Sequence, residues 1–322
     1  MAERARAAGG VTLALLLAAL VALLGATLGT RFLSVGTLQG IAFQLPELGM
    51  LALAMMLTLV SGGINLAVVA TANLSALAMA FVLHALAPSA LAIPVALAAG
   101  ALVGCAVGAA NGVLIAVVGI SPIVATLGTM TFVEGLGIGL THGGVVSGFP
   151  DALLRLGQGT VLGVPLGLLL FGLAAAALAL LLRRTPFGRH VYLIGANAEA
   201  TRFSGVDVRR VQIGVYLLSG GICWVAGLVM LARFNSANAS YGQSYLLVSI
   251  LAAVLGGIHP DGGSGRVGGL LLALVLLQVI STALNLLGLS NFLTLAIWGA
   301  ALVVVVLLPR LRPAALARRR PG

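Results

Sequence analysis

The chain has 322 residues, 61% of them hydrophobic and only 7% charged, with a mean hydropathy of +1.18. A soluble domain carries roughly 25% charged residues, so water could not solvate a surface built from this sequence. All 17 basic residues are Arg, set against 7 acids for a formal net charge of +10; they lie in short stretches between apolar runs, which points to membrane topology rather than to a nucleic-acid partner.

Inside a bilayer the backbone must satisfy its own hydrogen bonds, so only helices and closed barrels span it. Barrel strands alternate apolar and polar residues over stretches of roughly ten, whereas this chain has unbroken apolar runs such as Val161 to Leu182. The sequence therefore predicts an all-α, polytopic helical membrane protein embedded in the lipid bilayer. About ten transmembrane helices are expected, at about 20 apolar residues each. They fall near 11–29, 38–60, 65–87, 91–118, 122–141, 161–182, 211–232, 243–257, 267–288 and 292–309. The first run is too long for a signal-peptide core, which holds about 7–15 apolar residues, and lacks a clear cleavage site, so it is predicted to be retained. The second contains Pro46 and Glu47, and a break there would expose the acid to water. The eighth is short. Two halves meeting around 145–160 would suit an inverted-repeat transporter, but the residues show no such symmetry.

Ten crossings put both termini on one side, and the Arg residues choose the side. Arg4 and Arg6 precede the first run, and Arg310, Arg312, Arg318, Arg319 and Arg320 follow the last. Arg183, Arg184, Arg189, Arg202, Arg209 and Arg210 separate the sixth and seventh runs, and Arg266 lies between the eighth and ninth. Only Arg31, Arg155 and Arg233 fall on the other face. The positive-inside bias then makes both ends cytoplasmic.

Catalytic chemistry is scarce. The four His residues and seven acids are scattered without metal-ligand spacing, and no cofactor motif is visible. A chain without Lys cannot form a Walker A phosphate loop, which requires one, so any ATP hydrolysis must belong to another polypeptide. Cys105 and Cys223 sit deep in apolar runs as small packing residues. Polar side chains are costly within apolar helices and normally face the bundle or a watery path. Asn65, Asn73, Asn111, Thr126 and Thr129 form the best such set; they would suit a neutral, hydroxyl-rich solute or serve as interhelical glue. Glu47 and Glu134 are the intramembrane acids that a proton relay would use, although neither has a basic partner on its own helix. Gly104-x-x-x-Gly108 and Gly108-x-x-x-Gly112 predict close helix packing.

The longest polar stretch runs from Arg183 to Arg210. Pro186 and Gly188 should break the preceding helix. Asn197 is a plausible N-cap with Glu199 at the positive helix end, and Gly205 would stop a helix of about two turns. Such a helix, presenting Ala198, Ala200 and Phe203, fits docking to a soluble partner. A solvated basic loop fits the same residues.

Thr185 to Gly205 resembles the coupling region of ribose-type permeases of bacterial ABC sugar importers. In the same order, Asn111-Gly112-Val113-Leu114-Ile115 followed by Ser121-Pro122-Ile123-Val124-Ala125-Thr126-Leu127-Gly128-Thr129-Met130 resembles that family's central signature. Leu251-Ala252-Ala253-Val254-Leu255-Gly256-Gly257 and Gly262-Gly263-Ser264-Gly265 resemble its glycine-rich turn. The likeness spans roughly residues 36 to 309. It implies one transmembrane permease domain over 1–322, with a cytoplasmic coupling segment at about 183–210 and a basic tail at 310–322. It implies a bacterial inner-membrane protein, a second permease copy or paralogue, cytoplasmic ABC ATPase subunits and a periplasmic or extracellular solute-binding protein. Asn197, Ala198, Glu199, Ala200, Phe203, Ser204 and Gly205 would then form the ATPase contact, and the solute would be a small neutral one, a monosaccharide first.

Two departures stand out. Where the family often has Gly-Ile-Asp-Leu-Ser, this chain has Gly63-Ile64-Asn65-Leu66-Ala67, and where acids are common near Tyr245 it has Leu246, Leu247 and Val248. Close relatives are therefore a poor guide to the particular sugar. An autoinducer, nucleoside or branched-chain amino acid importer is the nearest alternative, and a proton-coupled secondary transporter is the alternative from another class.

Overall fold

The computed structural model describes residues 2–317; Arg318, Arg319 and Arg320 of the basic tail lie outside the described residues. In chain order the helices are α1 (Ala2–Leu28), α2 (Val35–Val60), α3 (Val68–Ala85), α4 (Ala92–Ala116), α5 (Pro122–Thr141), α6 (Asp151–Gln158), α7 (Leu166–Arg184), α8 (Pro186–Ala196), α9 (Ala198–Phe203), α10 (Val208–Phe234), α11 (Tyr245–Leu255), α12 (Val267–Leu286) and α13 (Asn291–Ala317). Four two-residue strands, β1 (Val146–Ser147), β2 (Thr160–Val161), β3 (Val164–Pro165) and β4 (Ser236–Ala237), decorate the connections.

Eight helices (α1 to α5, α7, α10 and α12) are long and apolar enough to cross a membrane, and α11 and Phe292–Val305 within α13 are shorter apolar helices. Each apolar run of the sequence thus coincides with one helix. Two local expectations need correction. The sixth run begins at Leu166 rather than 161, because β2 and β3 pair across a two-residue turn in which Leu162 and Gly163 both take positive φ, the geometry of a tight hairpin. Pro46 does not break the second helix; α2 runs continuously through it, and Glu47 is fully buried.

The core is organised around α2, which is buried without interruption from Leu45 to Val60. α10 packs against it and against α3 and α4. The α4–α10 crossing is closed by glycine: a Cβ on Gly104 would meet the Gly220 carbonyl oxygen at 2.6 Å, and one on Gly112 would meet Ile213 Cα at 2.8 Å. Backbones can approach this closely only without side chains, so the paired small-x-x-x-small motifs act as packing devices.

The two ends of the bundle are distinct. At one end Gly263 N donates to Val60 O at 2.9 Å, and Gly262 sits against Gly62. This gathers the ends of α2 and α8 and the turn between α11 and α12. At the other end β1 pairs antiparallel with β4, Val146 opposite Ala237, and Gln158 bonds the Arg233 carbonyl. The Arg-rich segment 183–210 and Arg266 therefore share one end, while Arg155 and Arg233 occupy the other.

Candidate functional site

At the Arg-rich end the local chemistry of 185–205 is well defined. The Thr185 hydroxyl accepts from Gly188 N at 3.1 Å and caps α8, with Pro186 in the first turn, where its missing N–H costs nothing. Pro186 thus ends α7 and starts a new helix, and Gly188 continues that helix rather than breaking it. A side chain on Gly188 would strike the Leu181 and Leu182 backbone. The polypeptide then turns at Asn197, whose Oδ1 accepts from Ala200 N at 2.9 Å. Thr201 Oγ1 and Ser204 Oγ bond the carbonyls of Asn197 and Ala200, and Gly205 leaves the helix with φ +82°. Ala198, Glu199, Ala200, Ser204 and Gly205 are exposed, and Phe203 is 89% exposed. A large aromatic side chain is thereby held out on a capped six-residue helix, away from the bundle.

This helix is anchored to the bundle through α8. A Cβ on Gly195 would collide with the Val60 carbonyl oxygen and with Gly263 N. Backbone therefore lies directly on backbone where α8, α2 and the 256–266 turn meet. Tyr192 Oη also donates to Gly265 O at 2.8 Å. α8 therefore meets α2, the most buried helix, with no flexible side chain between them.

The five polar residues expected along the path do not gather around one cavity. Asn65 donates to Ser219 Oγ at 3.0 Å and accepts from Ala67 N at 3.1 Å. Thr126 accepts from Leu66 N at 3.1 Å and donates to Pro122 O at 2.7 Å, so Asn65 and Thr126 hold the 61–67 turn between α10 and α5. Asn73 donates to the carbonyls of Ala239 and Tyr241, each at 2.9 Å, and pins the segment after β4. Asn111 is fully buried at the α4–α10 crossing, and neither atom of its amide has a partner. Thr129 is half-buried on α5. Asn73 lines a cavity of about 280 Å³ together with Met130, Glu134 and Gln243; Gln243 Nε2 donates to Glu134 Oε1 at 2.6 Å.

Glu47 has a partner that no single helix could reveal. Arg233 Nη1, at the end of α10, donates to Glu47 Oε1 at 2.6 Å, and Tyr245 Oη donates to Glu47 Oε2 at 3.2 Å. The only signal in the sequence was an acid in one apolar run and a lone Arg at the edge of another, which requires the helix pairing to interpret.

A family profile described as "Branched-chain amino acid transport system / permease component" matches residues 37–306. The chain belongs to this permease family. It is 36% identical over 302 residues to the autoinducer 2 import system permease protein LsrD of Enterobacter sp. (strain 638), covering 92% of this chain and 91% of the relative. It is 35% identical over 269 residues to the ribose import permease protein RbsC of Bacillus subtilis (strain 168), covering 83% and 82%. A similar protein of Yersinia pseudotuberculosis serotype O:3 (strain YPIII), also named LsrD, is 33% identical over 302 residues. No solved structure matches the chain. As a permease it is a multi-pass inner-membrane transport subunit of the ABC importer class and not an enzyme, with ATP hydrolysis on a separate chain. That division of labour agrees with a sequence that has no Lys for a phosphate loop.

Proposed function

We propose that this permease moves a small neutral hydroxylated solute, a monosaccharide first, handed over by an external solute-binding protein and driven by cytoplasmic ATPase subunits. It works beside a second permease copy or a paralogue, with both termini in the cytoplasm and the whole chain acting as one transmembrane domain. The observation that carries this reading is the exposed helix α9, seated through Gly195 on the end of α2. Such an arrangement suits a lever: an ATPase groove that grips Phe203, Ala198 and Ala200 would move the central helix of the bundle with it. The two permeases would then rock between outward-open and inward-open states, as rigid-body transport requires.

The membrane orientation is supported by the Arg distribution, since the end bearing 183–210 and Arg266 holds the basic excess expected of a cytoplasmic face. The solute class is supported by relatives named for ribose and for autoinducer 2 import. It is further supported by a polar set made of amides and hydroxyls rather than charges. Asn65, Asn73, Asn111, Thr126 and Thr129 are proposed to border the path as it opens. A proton relay is disfavoured because Glu47 is tied to Arg233 and Tyr245 and Glu134 to Gln243.

The test is mild extraction of the tagged chain from its native membrane and identification of what co-purifies. An ATPase subunit with its own Walker A loop is the expected companion. A chain recovered alone that still transports in ATP-free vesicles would overturn the reading.

A further inference from the structure

A second cavity, of about 440 Å³, lies between α2, α11, α12 and α13, at the end of the bundle opposite α9. It is near the small end of the range for ligand pockets, about 300–1,000 Å³. Gln278, Ser281 and Asn285 line it from α12 at helical spacing, facing Gln44 of α2, and Tyr245 and Trp298 supply aromatic walls. None of the described residues around it is charged.

Three physical facts limit what this cavity can hold. First, polar side chains facing hydrocarbon are costly, so a stripe of three on an otherwise apolar helix faces either protein partners or water. Second, these residues do little as glue. Gln278 Nε2 donates to Gln44 Oε1 at 2.8 Å, which uses one donor of the first amide and the acceptor of the second, while a glutamine offers two donors and an acceptor. The side chains of Ser281 and Asn285 make no hydrogen bond within the described residues. Third, a phosphate would call for Arg, Lys or backbone amides, and the lining has no cation. Uncommitted amides and hydroxyls between two aromatic walls, without charge, match a ring that has hydroxyls at its edge and C–H groups on its faces.

We infer that this cavity is a low-affinity binding site for a neutral monosaccharide on its way through the permease. The inference rests on the importer reading for its choice of sugar as probe. Weak binding is what a transport path requires, since a deep well would hold the solute and slow its release. The cavity also touches the moving parts: Tyr245 forms one wall and is bonded through its hydroxyl to Glu47 of α2. An occupant would also touch α2 directly, through Gln44 and Leu48, the helix on which α8 is seated.

The chain contains two Trp residues, Trp224 and Trp298, which gives a direct readout. Trp224 Nε1 is buried without a partner, so Trp224→Phe removes an orphaned donor and leaves Trp298 as the sole indole. With the full-length permease in phosphatidylcholine nanodiscs, D-ribose and D-glucose are each titrated while Trp298 emission is followed. The expected result is a saturable change with half-saturation in the millimolar range. It should weaken at least tenfold in Gln278→Leu and, separately, in Asn285→Leu, an exposed position that tolerates the change; each variant is checked for an unchanged helical circular dichroism spectrum.

Silence with both sugars, a linear non-saturating drift, or half-saturation in both variants unchanged from that of the Trp224→Phe parent would overturn the proposal. So would a signal that follows replacement of phosphatidylcholine by phosphatidylglycerol instead of added sugar, which would make the cavity a lipid-headgroup site. An ATPase that co-purifies while Trp298 stays silent removes this site and leaves the importer reading standing. A saturable sugar response without an ATPase companion does the reverse.

Discussion

Arg233 Nη1 lies 2.6 Å from Glu47 Oε1 and joins the last turn of α10 to the middle of α2. The two partners are unequal: the Glu47 side chain is fully buried, whereas that of Arg233 is 23% exposed. Tyr245 adds a third helix through its hydroxyl bond to the other carboxylate oxygen. The carboxylate is thus held by donors from two helices, and α2, α10 and α11 are fastened together on the side of the bundle away from α9.

That inequality predicts an order of damage. Arg233→Ala strands a buried carboxylate, a situation that costs about 3–5 kcal/mol. Glu47→Gln leaves an Arg that can still reach water, and Tyr245→Phe removes one hydrogen bond to a charged group, worth about 1.5–3 kcal/mol. Thermal unfolding in detergent should therefore rank Arg233→Ala as the most damaging of the three. The double variant Arg233→Ala/Glu47→Gln should recover part of the loss. Equal melting temperatures for Arg233→Ala and wild type would show that the pair contributes nothing to stability.

The amide at position 65 makes a prediction of its own. Asn65 Nδ2 donates to Ser219 Oγ at 3.0 Å, and Ser219 in turn donates to Ala54 O at 3.2 Å. Ser219→Ala leaves the Asn65 amide donor without its acceptor in a buried site, at a cost of about 1–3 kcal/mol, while Ala54 O keeps its bond within α2. Asn65→Asp keeps an acceptor that the Ser219 hydroxyl can turn to meet. It should be tolerated with Ser219 in place and become severe on top of Ser219→Ala. A double-mutant cycle on melting temperature checks this, and simple additivity would argue against a shared network.

Two glycines at the Arg-rich end should behave differently from one another. Gly195 faces Val60 O and Gly263 N with no room for a Cβ, so Gly195→Val must separate α8 from α2. Gly205 has open space around it and needs only its positive φ, which costs a non-glycine residue about 1–2 kcal/mol. Gly205→Asn, a residue that visits this conformation readily, should keep uptake near normal. Gly205→Val should uncouple ATP hydrolysis from uptake while the protein stays folded, and Gly195→Val should reduce both stability and uptake. Vesicle uptake and ATPase rates measured side by side separate the cases, and normal uptake in Gly205→Val would argue against an ATPase contact at α9.

Much of this was legible in the residues, for reasons that differ by element. Apolar runs revealed the spanning helices because hydropathy acts within one segment. The cap at Asn197 and the stop at Gly205 were readable because capping is decided over about four residues. Pro46 misled because a proline weakens a helix locally by its missing N–H and ring clash, and tertiary packing can still hold the helix continuous through it. Here α2 is enclosed on all sides, with Pro46 itself near Gly167 of α7. The Glu47–Arg233 pair was invisible because its partners stand 186 positions apart. The stripe of Gln278, Ser281 and Asn285 was legible in principle, as polar residues at helical spacing in an apolar run. Its meaning depended on Gln44 and Trp298 closing the space opposite.

Asn111 gives the most direct test of whether a buried polar residue serves the path or the packing. Its amide is fully buried, with neither Oδ1 nor Nδ2 bonded, at a crossing where Gly108 and Gly112 admit α10 to backbone contact. A structural amide would be paired, since an unsatisfied buried polar group costs about 1–3 kcal/mol. Asn111→Ala removes both orphaned atoms and leaves only a small void, so the two effects should offset each other to within about 1 kcal/mol. If the amide finds its partner only when the helices part around a solute, uptake by the assembled importer should fall severalfold while the melting temperature barely moves. A large drop in melting temperature with proportionate loss of uptake would instead make Asn111 a packing residue and take it out of the path.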